Sequence, residues 1–131
     1  MIYFIQAKQF VKIGYSKSPR YRLKKLQTGN PVKLKLLATM PGNKQTEDGL
    51  HEAFAHKHYR GEWFWYGGNL KASIMALKGD DPGNTVLIED VRSFQQAGIH
   101  LRARQKFNRL RASGKHNHKF VDLVKKYSKE K

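Results

Sequence analysis

Apolar residues crowd the amino terminus in two short runs. Ile2, Tyr3, Phe4 and Ile5 precede Gln6, and Val11, Ile13 and Tyr15 are spaced by Lys12 and Gly14. Runs this short, rich in β-branched and aromatic residues, predict strands over 2–6 and 11–15 joined as a hairpin through Ala7-Lys8-Gln9-Phe10. A loop of that length pairs Gln6 with Val11 and Tyr3 with Gly14. Alternation then sets Tyr3, Lys12 and Gly14 on one face, with Phe4 and Val11 or Ile13 on the other. A slip of one residue would part Tyr3 from Lys12.

Further on the period lengthens. Ser18-Pro19 is a helix start, with Ser able to cap and Pro suited to the first helical position. Leu23 and Leu26 supply its apolar edge, and Gly29-Asn30-Pro31 stops it, Gly29 fitting a left-handed cap. Residues 33–40 alternate again, with Leu34, Leu36, Ala38 and Met40 on one face of a half-buried strand. Pro41-Gly42-Asn43 makes a turn. From 44 to 58 the spacing is helical: Glu47, Leu50, His51, Phe54 and His58 fall on one stripe. Gly61 breaks it, 63–66 form an aromatic extended segment, and 69–77 form another helix.

The run Gly79-Asp80-Asp81-Pro82-Gly83 reads as a linker, and composition shifts after it. The organisation expected is a domain over 1–79, a linker over 80–85 and an extension over 86–131. The fold class is α+β: a small three-stranded, mostly antiparallel sheet flanked by helices, followed by a basic helical carboxy-terminal extension. That extension reads as helix over 86–96, an interruption at Gly98, a basic amphipathic stretch over 100–112 and a last basic helix over 119–131. Apolar residues at helical spacing show that it is more than a flexible basic tail.

The chain has 131 residues, 39% of them hydrophobic, enough to build a core. Its formal net charge is +16, which favours a polyanionic partner: lysine and arginine displace condensed counterions from phosphates. Charge alone fits a solvated basic face or a scaffold protein equally. The absence of cysteine excludes disulfides and zinc–thiolate sites. No apolar run approaches the ~20 residues of a membrane span, and the first ten residues lack a signal-peptide pattern. A cytoplasmic setting follows, in a bacterial cell or a phage-infected host.

Four segments together resemble the GIY-YIG endonuclease superfamily, in a phage and bacterial branch. They are Val11-Lys12-Ile13-Gly14-Tyr15-Ser16, the stretch from Arg22 to Pro31 (R-L-x-x-L-Q-T-G-N-P), the stretch from Glu47 to Phe54 (E-x-x-L-H-x-x-F) and Gly61-Glu62-Trp63-Phe64. Each is weak alone, and four in order are fairly specific. The resemblance spans residues 1 to about 77 and leaves 84–131 uncovered. It implies metal-dependent hydrolysis of DNA phosphodiester bonds, with RNA as a further candidate substrate. Its implied catalytic residues are Tyr3, Lys12, Arg22 and Glu47. Glu47 matches the metal-binding glutamate, for Mg²⁺ or Mn²⁺. Arg22 matches the arginine that clamps a phosphoryl oxygen. Tyr3 matches the tyrosine that positions or deprotonates the attacking water. Lys12 stands where the family has its second tyrosine, Tyr15 lies three positions beyond, Leu26 replaces a histidine found in some members, and the usual late asparagine is absent.

Each residue also has a plainer role. Glu47 suits the helix dipole in a first turn. Arg22 follows Arg20 and precedes Lys24 and Lys25, all compatible with a solvated face. Tyr3 is an ordinary strand aromatic. His51 fits as a core histidine, a hydrogen-bond partner or a metal ligand, and Glu62 as a second carboxylate or a pin for its loop. Trp63 and Trp65 suit either base stacking or packing, whereas Phe64 suits the core. Phosphate contacts are assigned to Lys24, Lys25, Arg102, Arg104, Arg109, Arg111 and Lys115. The same fold with a degenerate site, serving only to bind nucleic acid, is the competing reading.

Overall fold

A computed structural model of the chain describes residues 1–84 and 86–112, with side chains through 110. The first two strands, β1 (Ile2–Ala7) and β2 (Phe10–Tyr15), pair antiparallel with Gln6 opposite Val11 and Tyr3 opposite Gly14. The register is the expected one, but the loop is tighter. Ala7 and Phe10 still pair, so only Lys8 and Gln9 turn the chain, with Lys8 at φ 55°.

The sheet has five strands rather than three. Its order is β3-β1-β2-β5-β4, every neighbouring pair antiparallel, with β3 at Lys35–Met40, β4 at His58–Arg60 and β5 at Trp63–Trp65. The two added strands have three residues each, too few for alternation to register against the helical spacing before them. That spacing overran its helix. Helix α2 ends at Ala53, a 3₁₀ turn takes Ala55–Lys57, and His58 starts β4.

Alternation in β3 is also broken. Phe4 pairs with Ala38 but Ile5 with Leu36, so Leu37 is a bulge. The side chains read as one face therefore divide. Leu34 and Leu36 join Tyr3 and Ile5, while Leu37, Ala38 and Met40 join Phe4 and Ile13.

The sheet consequently has a core on each side. Helix α1 (Pro19–Gln27) brings Leu23 and Leu26 to the Tyr3 and Ile5 face. Pro19 occupies its first turn as expected, but Ser18 makes no side-chain cap; its amide bonds instead to Ser16 Oγ at 3.0 Å. Gly29 takes φ +75° beyond the helix end. The opposite face packs on α2 (Lys44–Ala53), α3 (Gly68–Leu77) and α4 (Val91–Ala112).

Helix α4 runs unbroken through Gly98, which does not interrupt it. A Cβ there would lie 2.2 Å from Ser73 Oγ and 2.7 Å from the Asn69 carbonyl oxygen, so glycine permits the close crossing of α3 and α4. Phe94 is fully buried, stacked on Phe4 at 5.1 Å and edge-on to Phe54 at 5.7 Å. Aromatic pairs of this kind add about 0.5–1.5 kcal/mol each beyond their burial. The first helix after the glycine-rich segment thus completes the main core.

The segment itself is pinned. Asp81 is buried, accepts from the Gly83 amide and pairs with Arg104 on α4. Asp90 caps α4: its Oδ1 accepts from the Ser93 amide at 2.7 Å, and Ser93 Oγ accepts from the Asp90 amide. The Ser93 amide, and after it the Ser93 hydroxyl that also donates to Oδ1, hold the Asp90 carboxyl below its usual pKa. Among the described residues, no helix is long and apolar enough to cross a membrane. The helix expected over 119–131, Lys115 and the side chain of Arg111 lie outside the described residues.

Candidate active site

The β1–β2 register stacks Tyr3 over Gly14. A Cβ on Gly14 would lie 2.3 Å from both Cζ and Oη of Tyr3, so only glycine leaves the phenol its place. The ring is buried among Ile5, Leu34, Leu23 and Leu26. Those two leucines dock α1 across the sheet, which brings Arg22 near enough to act on the Tyr3 hydroxyl. Leu26 is part of this packing.

Burial pushes the Tyr3 hydroxyl above its ordinary pKa. Arg22 opposes that shift, while the charges of Glu62 and Glu47 add to it. The phenol therefore keeps its proton at neutral pH. It also marks a point that two carboxylates and one guanidinium all reach electrostatically.

Glu47 comes from α2. Asn43 caps that helix by accepting from the Thr46 amide, and Thr46 Oγ1 accepts in turn from the Asn43 amide. This reciprocal cap fixes the first turn, and Glu47 within it is 3% exposed. Its position complements the helix dipole, as the plainer reading held. A buried carboxylate also needs a partner. Lys44 supplies one, with Nζ 2.5 Å from Glu47 Oε1 on a side chain 64% exposed. Lys44 was missed in the sequence, although lysine and glutamate three apart on a helix are neighbours by geometry.

Lys12 projects from β2 on the Tyr3 face. Its Nζ is 3.2 Å from Glu62 Oε2 and lies over the Trp63 ring at 5.7 Å. Glu62 follows Gly61, whose φ of +55° turns the β4–β5 hairpin, and its carbonyl accepts from the Ile13 amide at 3.0 Å. The Glu62 backbone thus pins the loop, and its carboxylate meets Lys12 on the Tyr3 face. His51 is on the other face. Its Nε2 donates to the Ile13 carbonyl at 2.8 Å, and its ring packs on Phe64, which makes it a brace for β2. Among the described residues, no three histidine or acidic side chains gather into a preformed metal cage.

The residues assigned to phosphate contact divide. Lys24 and Lys25 are exposed on α1 beside Arg22, with Lys25 over the Tyr21 ring at 5.2 Å. Arg102 donates to Asn69 Oδ1 at 2.9 Å and, with Lys106 and Arg109, lines a groove of about 400 Å³ between α3 and α4. The guanidinium of Arg104 is engaged by Asp81.

Residues 1–77 match the family described as the T5orf172 domain. Neither the curated proteins nor the solved structures give a match. The matched region contains all of the cluster just described and stops before α4.

Proposed function

The chain belongs to the T5orf172 domain family, whose domain is phage-associated and nuclease-like, and from that premise we propose that it is a metal-dependent endonuclease of the GIY-YIG type that hydrolyses DNA phosphodiester bonds. One observation carries the reading. A buried tyrosine, seated on the only residue type that admits it, has Arg22, Glu47 and Glu62 all near enough to act electrostatically on its hydroxyl.

Arg22 is exposed, and its planar fork suits a non-bridging phosphoryl oxygen as charge develops there. Tyr3, protonated at rest, positions the attacking water by hydrogen bonding. A carboxylate on the same face then takes the water's proton. Glu62 fits that role, being about a third exposed and paired with Lys12. Lys12 acts through its charge: an ammonium held by a carboxylate donates rather than accepts. Lys24 and Lys25 extend the cationic surface along the DNA backbone.

Glu47 is the candidate metal ligand. Mg²⁺ keeps several waters and is often held by one or two carboxylates plus substrate phosphate, so a single buried glutamate suffices. The Lys44 ammonium already neutralises that carboxylate from an exposed side chain, and a cation of higher charge can displace it. When bound, a divalent ion supplies charge stabilisation to the phosphoryl and leaving oxygens.

Cleavage of supercoiled plasmid and of branched DNA in Mg²⁺, with EDTA as control, tests the reading. Wild type should nick or cut in Mg²⁺ alone, and Glu47→Ala should lose this. Equal activity in the variant would remove Glu47 from the site. An inactive wild type on every substrate would favour the second reading, a nucleic-acid-binding protein that has lost hydrolysis. That reading draws on Lys12, which stands in the place of a tyrosine and is held by Glu62.

A further inference from the structure

Three aromatic rings are exposed or half-buried at the end of β2, away from Tyr3. Phe10 stacks on Tyr59 at 4.3 Å and lies tilted against Trp65 at 4.5 Å, and Tyr59 meets Trp65 edge-on at 5.5 Å. Tyr59 is 50% exposed and Trp65 44%. Phe64, between the two tryptophans, is fully buried on the opposite face with Val11 as its partner. The aromatic block therefore divides by strand alternation into a core residue and outward rings.

These rings share the face of the reactive cluster. Phe10, Lys12 and Gly14 alternate along β2, with Trp65, Trp63 and Tyr3 as their respective cross-strand partners. From Gly14 to Phe10 is about 13 Å at the usual rise per strand residue. That is about four steps of the 3.4 Å rise of a stacked nucleic-acid strand. Lys12 lies between the two ends, and the exposed Arg60 stands opposite Trp63. Lys12 is already paired with Glu62, so Arg60 is the exposed cation that borders the rings and can meet a phosphate as they meet bases. Apolar side chains left in water in a mutually stacked group need a function more than scattered ones do.

We propose that Phe10, Tyr59 and Trp65 form a stacking platform for an unpaired nucleobase, so that a single-stranded or frayed segment is held on the same sheet face as the Tyr3 centre. The platform rests on the nucleic-acid reading above and adds a preference within it. Base–aromatic stacking tolerates any sequence, because every base has a π-face, so the platform selects strand state rather than sequence.

The test is binding by the full chain in EDTA, where hydrolysis plays no part. Labelled oligo(dT), oligo(U) and a blunt duplex are titrated by anisotropy, with circular dichroism confirming that each variant is folded. Trp65→Leu and Tyr59→Ala should each weaken oligo(dT) binding by about tenfold while leaving duplex affinity nearly unchanged. Trp65→Phe, which keeps a ring, should retain most of the affinity. A parallel loss with oligo(U) supports a site for unpaired bases of either sugar type, and a loss confined to oligo(dT) supports a site for unpaired DNA. Folded Trp65→Leu that binds oligo(dT) as wild type does, or that loses single strand and duplex equally, overturns the proposal. The result stands apart from catalysis: a wild type that never cleaves leaves it intact, and unchanged binding leaves the nuclease reading intact.

Discussion

At the scale of residues, the pair Tyr3–Gly14 concentrates the constraint. Gly14→Ala should drive the phenol from its seat, because the new methyl would overlap Cζ and Oη. Misplacement of about 1 Å costs on the order of 100-fold in rate, which single-turnover nicking would reveal. A fully active Gly14→Ala would mean that the ring position is not needed. Tyr3 also predicts an alkaline limit. Its folded pKa is raised chiefly by burial above the ordinary value of about 10, so the unfolded chain releases the proton first. The stability contributed is complete below about pH 10 and is lost as pH rises from there through the folded value. Tyr66 is shifted the same way by burial, so Tyr3→Phe should reduce the loss without abolishing it. Urea melts between pH 8 and 11 would show this, and an unchanged pH slope would contradict it.

At the scale of elements, the hairpin register followed from alternation and loop length alone, because a slip would expose one buried face. The small strands β4 and β5 did not. Three residues carry too little pattern, and the stripe that names α2 continues by chance to His58. The bulge at Leu37 was equally hidden, since Leu34, Leu36, Ala38 and Met40 alternate perfectly while the backbone slips beneath them. Gly98 misled for a different reason. Glycine weakens a helix by about 1 kcal/mol relative to alanine, so an isolated one reads as a break, but here it lets two helices touch. Gly98→Ala should therefore destabilise despite its better propensity. Contact with the Asn69 and Ser73 backbone cannot be relieved by a rotamer change, and overpacking costs about 1–3 kcal/mol. Thermal denaturation would measure this, and a rise in Tm would refute the close crossing.

At the scale of the molecule, a charge of +16 pointed to a polyanion but could not say which cations meet it. The motifs pointed to Tyr3, Arg22 and Glu47 as candidates; the Lys44–Glu47 pair is local to one helix and went unread, whereas the contacts of Glu62 and His51 join distant segments. The arginines of α4 show the same limit. Arg104 pairs with buried Asp81, and Arg109 lines a basic groove. Arg104→Met should cost about 3 kcal/mol by leaving Asp81 without its cation, and should change the salt dependence of DNA binding little. Arg109→Ala should do the reverse, lowering the slope of log affinity against log salt by about one contact. Equal slopes for the two variants would dissolve that distinction. The claim on which all three scales depend is that Tyr3, Arg22 and Glu47 act on one phosphodiester. Single-turnover cleavage of plasmid DNA in Mg²⁺, with duplex binding measured in parallel in EDTA, tests it most directly. Arg22→Ala and Glu47→Gln should each slow cleavage by about 100-fold or more while duplex affinity stays within a few-fold of wild type. Cleavage by either variant at the wild-type rate would contradict the account.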